Sequence, residues 1–386
     1  MPVEGIRLEP AVLPQSAQAL REEVREFIAG EMAAGRIRSA PDNWLGGFDL
    51  EFSGKLGARG WLGMTWPKKY GGHERSALER FVVTEELLAA GAPVAAHWVG
   101  DRQTGPSLLR YGTEKQRQEF LPRLAAGELF FAIGMSEPGS GSDLASVRTQ
   151  ATQVDGGWSV TGTKLWSSNA HRLDYFFVLC RTEPPSEDRH AGLSQLIVDL
   201  NAPGVTVRPV PILTGEHHFN EVIMENVFVP DEGVLGTIGK GWQQVTSELA
   251  YERSGPERFL STLPALTAFL AQLGERELDD RTTIALGEIT SDVWTLRALS
   301  MSVAAALDRG EAPDVQAALV KDLGTRFEGD LIELIRRLAD TAPSLLAEPG
   351  LDLALAESFL HLPGFTLRGG TNEILRGVVA RALGLR

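Results

Sequence analysis

The stretch "FFAIGMSEPGSGSDLASVRTQATQVDGGWSVTGTKLWSSNA", Phe130 to Ala170, decides how the rest of the chain is read. It holds two polar, glycine-bearing motifs, "SEPGSGSDL" from Ser136 and "GTKLWSSN" from Gly162. Gly139 and Gly141 suit a tight turn, because glycine reaches backbone dihedrals closed to other residues. Around and after the second motif come short β-branched and aromatic runs: "GGWSVTGTKLWSSN", "YFFVLCRTE", "SQLIVDL", "GVTVRPVPIL" and "EVIMENVFVP". Gly, Pro, Asn and Asp separate them. That density predicts a small antiparallel sheet or barrel over 129–238.

On either side the period changes to that of a helix. "SAQALREEVREFIAGEMAAG" places Leu20, Val24, Phe27 and Ile28 on one face. "LERFVVTEELLAAG" and "TEKQRQEFLPRLAAGE" behave similarly, the latter opening on Thr113 as an N-cap with Glu114 behind it. "GWLGMTWPKKYGG" is rich in Gly and Pro and reads as a surface connection. From Gly239 the helical period returns in three long stretches that end near Ala342. The fold class expected is α+β: a helical domain over 1–128, a β domain over 129–238 and a helical bundle over 239–386. No fixed-period repeat or low-complexity segment interrupts this order.

Composition narrows the function. The chain has 386 residues, 43% hydrophobic and 23% charged, ordinary for a globular protein with a large core. Thirty-seven basic against fifty-one acidic residues give a net charge of -14, which argues against nucleic acid or anionic lipid as partner. It leaves room for a phosphorylated cofactor, because backbone N–H groups and one or two basic residues suffice to hold one. The single cysteine, Cys180, sits in the apolar run "YFFVLC" and reads as a packed strand residue. One cysteine cannot form an internal disulfide, which suits a reducing compartment. No apolar run approaches the roughly 20 residues of a bilayer span. "MPVEGIRLEP" lacks a signal pattern. The expectation is a cytoplasmic protein.

The two motifs together resemble the flavin-binding middle domain of the acyl-CoA dehydrogenases. The flanks agree: "GWLGMTWPKKYGG" and "TGPSLLRYGTEKQRQEFLPRLAAGE" upstream, "HFNEVIMENVFVP" and "GKGW" downstream. The resemblance covers nearly the whole chain and implies the same helix–sheet–helix order. It also implies FAD and an acyl thioester, of CoA or of an acyl-carrier protein, oxidised to the trans-2-enoyl thioester. A carboxylate takes the Cα proton while the Cβ hydride passes to flavin N5. The Cα proton is too weakly acidic for a carboxylate unless donors polarise the thioester carbonyl. The flavin carries the hydride chemistry, and the protein holds and orients it.

The resemblance carries roles to particular residues. Met135 and Ser136 would lie against the flavin ring, and Gly141 and Ser142 would face the pyrophosphate or the pantetheine arm of the substrate. Trp166 would shield a flavin edge, and Ser168 would hydrogen-bond near N5. Thr371 joins the cofactor-binding set. Taken alone, Gly139 and Gly141 make a β-turn and Trp166 fills a core.

The base departs from the best-known pattern. Many family members carry a glutamate directly before the Gly-Thr that opens the last helix. Here "FTLRGGTNEIL" places Gly370–Thr371 at that dipeptide, so the glutamate position is Gly369. A minority of the family supplies the base from the first long helix after the β domain, as an acidic residue followed by Arg. "SELAYERSGPER" puts Glu252–Arg253 there, with Glu248 and Glu257 as local competitors. The resemblance therefore implies Glu252 as base, Arg253 in support at the substrate, and the Gly369 N–H as a donor to the thioester carbonyl. Glu373 reads as a first-turn acid suited to the helix dipole. The vacancy at 369 would also leave space beside Cα for a bulkier acyl group.

Assembly departs as well. Homotetrameric members hold the neighbour's FAD with an Arg-x-x-Phe-Gly and a Gln-x-x-Gly-Gly segment. "GERELDDRTTIALGEI" has no Phe-Gly, and no Gln-x-x-Gly-Gly lies between "LADTAPSLLAEPG" and "FLHLPGF". The alternatives are a homodimer or homotetramer built differently, or a heterotetramer with a related subunit. Electron-transfer flavoprotein is the implied electron acceptor. Rival reactions on this fold are an acyl-CoA oxidase and an N-oxidising flavoenzyme; a third reading is a partner subunit of an active homologue. His217 and His218 point to opposite faces of a strand with no further Cys/His cluster, so no metal is expected.

Overall fold

The structure, a computed structural model, describes residues 6–385 except 185 and 254, and leaves aside the side chains of 248–253. The first part is helical: α1 (Gln15–Ala33), α2 (Leu50–Ala58), α3 (Ala77–Ala89), α4 (Ala95–Val99), α5 (Gly105–Tyr111) and α6 (Glu114–Ala125). Strands follow: β1 (Phe131–Gly134), β2 (Gln150–Val154), β3 (Gly157–Lys164), β4 (Tyr175–Arg181), β5 (Leu193–Asp199), β6 (Val205–Val210), β7 (Phe219–Pro230) and β8 (Val234–Leu235). The chain returns to helix in α7 (Gly241–Arg253), α8 (Leu263–Leu273), α9 (Asp280–Asp308), α10 (Asp314–Leu338), α11 (Leu351–Phe365) and α12 (Asn372–Ala382). A 3-10 turn, Pro256–Arg258, links α7 to α8.

Two compact units result. One comprises Met1–Gly47, Ser76–Pro93 and Ala250–Arg386; the other comprises Phe48–Arg75 and Val94–Leu249.

The second unit is built on an eight-stranded sheet in the order β6-β7-β3-β2-β4-β5-β8, with β1 paired to β4. Pairing is antiparallel except for β1 with β4 and a single β2–β4 register, both parallel. The exception has a simple origin. β1 and β4 are separated by the β2–β3 hairpin and two loops, chain enough for a crossover that returns β4 in the same direction.

β4 is buried along its centre, which accounts for its unbroken apolar sequence. Phe176, Val178 and Cys180 enter a core with Val160, Leu196, Val198, Val222 and Met224. Phe177 enters a second core, packing edge-on against Phe131 and beside Trp66, Phe120 and Leu121. Burial pushes the Cys180 thiol up to about 12, so this cysteine is a packing residue, as its run implied.

Thr113 caps α6 as expected, accepting from the Gln116 N–H in a capping box. The stretch "GWLGMTWPKKYGG" corrects the sequence reading. It is no surface connection: Trp61, Leu62, Met64, Trp66 and Tyr70 are all buried. Gly60, Gly63 and Gly71 take positive φ and fold the segment back on itself. Trp66 then lies against Gly105, where a Cβ would come within 1.9 Å of the indole. A Gly- and Pro-rich composition reports backbone geometry, and in this segment the aromatics decide the burial.

In the first unit α1 packs on α3, and α10 packs on α8, α9, α11 and α12. Leu20, Val24 and Ile28 are the buried stripe of α1. Arg21 and Arg25 of α1 and Arg297 of α9 converge on Glu85 and Glu86 of α3, with N···O distances of 2.6–2.8 Å.

Candidate functional site

In the sheet unit the two opening motifs meet. The Leu165 N–H donates to the Ser136 carbonyl at 2.9 Å, so the middle of the second motif lies beside the start of the first. Glu137 and Ser140 close a turn by exchanging backbone hydrogen bonds of 2.8 and 3.1 Å. Gly139 on the turn, and Gly141 and Ser142 just after it, stand exposed, and a Cβ at either glycine would meet nothing within 4 Å. These glycines leave open space in front of the backbone, as a ligand resting on the turn requires. Met135 and Ser136 are half-buried.

Two residues that the sequence reading passed over fix this arrangement. Lys164 ends β3 with its side chain fully buried, and its Nζ lies 2.8 Å from Glu137 Oε1. Nζ also donates to the Met135 carbonyl at 3.1 Å, while Glu137 accepts the Arg148 and Thr149 N–H groups at 2.6 and 2.9 Å. Burial holds the lysine below its ordinary pKa, against the pull of Glu137. Glu137 is itself held below the carboxylate range: burial opposes this, and Lys164 with the donated hydrogen bonds outweighs it. A signal existed in the sequence, since both charges lie inside the quoted motifs and Lys164 ends an otherwise uncharged strand. A cavity of about 250 Å³ adjoins them, lined by Glu137, Pro138, Gly139, Arg148, Thr149 and Thr163 among others.

Trp166 is 51% exposed and sits at φ +66, a left-handed conformation costly for a bulky residue. Its ring meets Phe219 edge-on at 5.5 Å. It fills no core. The neighbouring Ser167 Oγ is buried without a hydrogen-bond partner, and Ser168 is half-buried. An exposed indole in a strained backbone, an unsatisfied buried hydroxyl and an open glycine turn suit a planar aromatic ligand with a phosphate-bearing tail. The residues present thus fit FAD. His217 stacks on His171 at 3.9 Å, whereas His218 is buried. Burial first, then the His217 charge, pushes His171 down to about 4. Among the described residues no three His, Cys, Asp or Glu gather to hold a metal.

The remaining candidates lie in the helical unit. Glu252 and Arg253 end α7, but their side chains fall outside the described residues, as does that of Glu248. Glu257 and Arg258 follow on the 3-10 turn, both buried, with Arg258 Nε 3.6 Å from Glu257 Oε1. Gly369 and Gly370 both take positive φ, +67 and +86. Thr371 caps α12 by accepting from the Ile374 N–H, and Glu373 is an exposed first-turn acid. Lys321, fully buried on α10, donates to the Thr366 and Gly370 carbonyls and to Asn372 Oδ1 at 3.1, 2.9 and 2.6 Å, which ties the turn down.

The space beside Gly369 is occupied. A Cβ there would lie 2.8 Å from Arg258 Nη2 and 3.1 Å from its Cζ. The Arg258 guanidinium is thus the group that stands beside the vacated position.

Three family models match the chain: the acyl-CoA dehydrogenase N-terminal domain over residues 14–128, the middle domain over 132–227 and the C-terminal domain over 239–384. The chain is 35% identical to acyl-CoA dehydrogenase IpdE1 of Mycobacterium tuberculosis, over 96% of its own length and 98% of that protein. It is 34% identical to acyl-CoA dehydrogenase FadE34 of the same organism, where the match spans 86% of this chain but only 45% of the relative. Among solved structures it is similar to the Tcur3481-Tcur3483 steroid ACAD, with TM-score 0.85 and 30% identity over 96% of this chain and 97% of that one. The ChsE4-ChsE5 complex from Mycobacterium tuberculosis gives TM-score 0.83 and 29% identity over 98% and 100%.

Proposed function

This chain belongs to the acyl-CoA dehydrogenase family, and from that premise we propose that it oxidises an acyl-CoA to the trans-2-enoyl-CoA with Glu252 as the base. It is an oxidoreductase acting on acyl-CoA, and FAD is its cofactor. Bound FAD supplies a two-electron acceptor for the substrate hydride. The chain's own residues do the rest. The open turn at Gly139–Ser142 receives phosphate or pantetheine oxygens on backbone N–H groups, with Ser142 also in reach of the substrate. Met135, Ser136, Trp166 and Ser168 hold the ring, with Thr371 completing the cofactor set, and Trp166 keeps water from it. Glu252 accepts the Cα proton, and Arg253 supports the substrate beside it. The domains fall at 1–128, 129–238 and 239–386.

One observation carries the choice of base. Position 369 has no side chain, and a Cβ there would lie 2.8 Å from the Arg258 guanidinium. This supports a base on another element, and Glu252, in the last turn of α7, matches the family's alternative pattern.

A two-chain assembly is supported by the absence of both segments that reach a neighbour's FAD, and by two similar structures whose names join two different chains. We propose a heterotetramer with a related subunit and electron-transfer flavoprotein as oxidant.

The test is anaerobic bleaching of the bound yellow flavin by straight-chain, 2-methyl-branched and ring-bearing acyl-CoAs. Wild type should bleach with at least one class, and Glu252→Gln should not. Persistent bleaching in that variant would remove Glu252 as base. A colourless, inert chain that acquires flavin only on mixing with a related subunit would make it a partner subunit. Fast reoxidation by O2 would favour an oxidase.

A further inference from the structure

Arg258 is the residue that the vacancy at 369 accommodates. It lies five residues beyond the end of α7, on the 3-10 turn Pro256–Arg258. Two glycines receive that turn. At Gly324 of α10 a Cβ would stand 2.3 Å from the Arg258 carbonyl oxygen, so only glycine lets the backbone pass. At Gly369 a Cβ would stand 2.8 Å from the Arg258 guanidinium. The guanidinium also lies 5.4 Å over Trp44, and Arg368, the residue before Gly369, lies 4.5 Å over the same ring. Arg368 is anchored to Asp42 at 2.6 Å, and the Trp44 Nε1–H donates to Ser261 Oγ at 3.0 Å. The linker after α7 and the Gly369–Gly370 turn are thus locked through one indole and one socket.

We propose that Arg258 is a positioning residue: seated in the socket left by the missing side chain at Gly369, it fixes the end of α7 that bears Glu252. This rests on Glu252 being the base. Moving a base to the helix and losing the side chain at 369 are then one structural event. A side chain at 369 would press on the guanidinium and push it from this seat, and the positive φ there favours glycine as well.

The experiment compares Arg258→Ala, Gly369→Ala and the double variant in the FAD-loaded protein. The substrate is whichever acyl-CoA of the panel bleaches wild-type flavin fastest. Each single variant should slow flavin reduction about ten-fold or more, because misplacing a catalytic group by about an ångström can cost about a hundred-fold. The concentration of acyl-CoA giving half-maximal rate should change by less than about three-fold, which separates base placement from substrate binding. The double variant should be no slower than the slower single, since both empty one socket.

Amide hydrogen exchange on the same chain gives a readout independent of turnover. Exchange should rise together at 256–260 and 366–372 in either single variant. Where Arg258→Ala does not fold, Arg258→Gln should show the same pattern. Reduction within two-fold of wild type for Arg258→Ala, losses that multiply in the double variant, or exchange confined to one segment would each overturn the proposal. These outcomes are distinct from failure of the base assignment, which is read in Glu252→Gln alone.

Discussion

Lys164 and Glu137 form a buried ion pair at 2.8 Å that joins the strand carrying one motif to the turn carrying the other. The lysine side chain is fully buried and the carboxylate nearly so. Buried pairs stabilise little against an apolar replacement of both partners, but removing one strands the other. Lys164→Met should therefore cost roughly 3–5 kcal/mol in denaturant unfolding. It should also release the Glu137 turn, so that flavin is lost on gel filtration. Retention of flavin at wild-type stoichiometry would show that the pair does not organise the turn.

Glu328 makes stability depend on pH. It is fully buried on α10 and accepts the Ser261 N–H at 2.7 Å. Burial raises it from 4.5 to about 7, while Arg368 and the Ser261 hydrogen bonds oppose the rise. A carboxyl whose folded pKa is raised favours folding below its unfolded pKa and loses that contribution as pH rises through the folded value. The loss is on the order of 3 kcal/mol between roughly pH 4.5 and pH 7. Glu328→Gln keeps an oxygen for Ser261 and removes the titration. Its unfolding midpoint should be flatter across this window than wild type; parallel curves would refute the assignment.

Two helix-interior glycines should respond oppositely to the same substitution. Alanine gains about 1 kcal/mol over glycine from helix propensity alone. At Gly287 of α9 a Cβ meets nothing within 4 Å, so Gly287→Ala should stabilise by about that amount. At Gly324 the Cβ would meet the Arg258 carbonyl at 2.3 Å and Phe259 Cβ at 3.2 Å. Overpacking costs about 1–3 kcal/mol and outweighs the gain, so Gly324→Ala should be net destabilising. Thermal melts of the two variants decide it.

Trp166 should trade stability against cofactor binding. Its left-handed backbone costs on the order of 1 kcal/mol, relieved in Trp166→Gly, which offsets part of the loss of the half-exposed ring and its contact with Phe219. The apo variant should melt within a few degrees of wild type. Its affinity for FAD, read by fluorescence quenching, should fall about ten-fold, an aromatic contact being worth roughly 1.4 kcal/mol. An unchanged affinity would remove Trp166 from the flavin site.

The order of helix, sheet and helix was legible in the sequence because it rests on local rules. Period-two and period-3.6 patterns, Thr113 and Thr371 at their caps, and positive φ at Gly369 and Gly370 depend on neighbours a few residues away. The two motifs and the vacated glutamate position could be read in the same way, as words in order. Tertiary structure alone decided what those words contact. It buried Trp61, Trp66 and Tyr70 in a segment whose composition read as surface, drew Lys164 to Glu137 across 27 residues, and set Arg258 against Gly369 across more than a hundred. Contacts of that separation depend on which volumes remain once helices and strands pack, and packing density is a property of the whole fold. The sequence recorded an absence at 369, and only the packed chain determined what came to fill it.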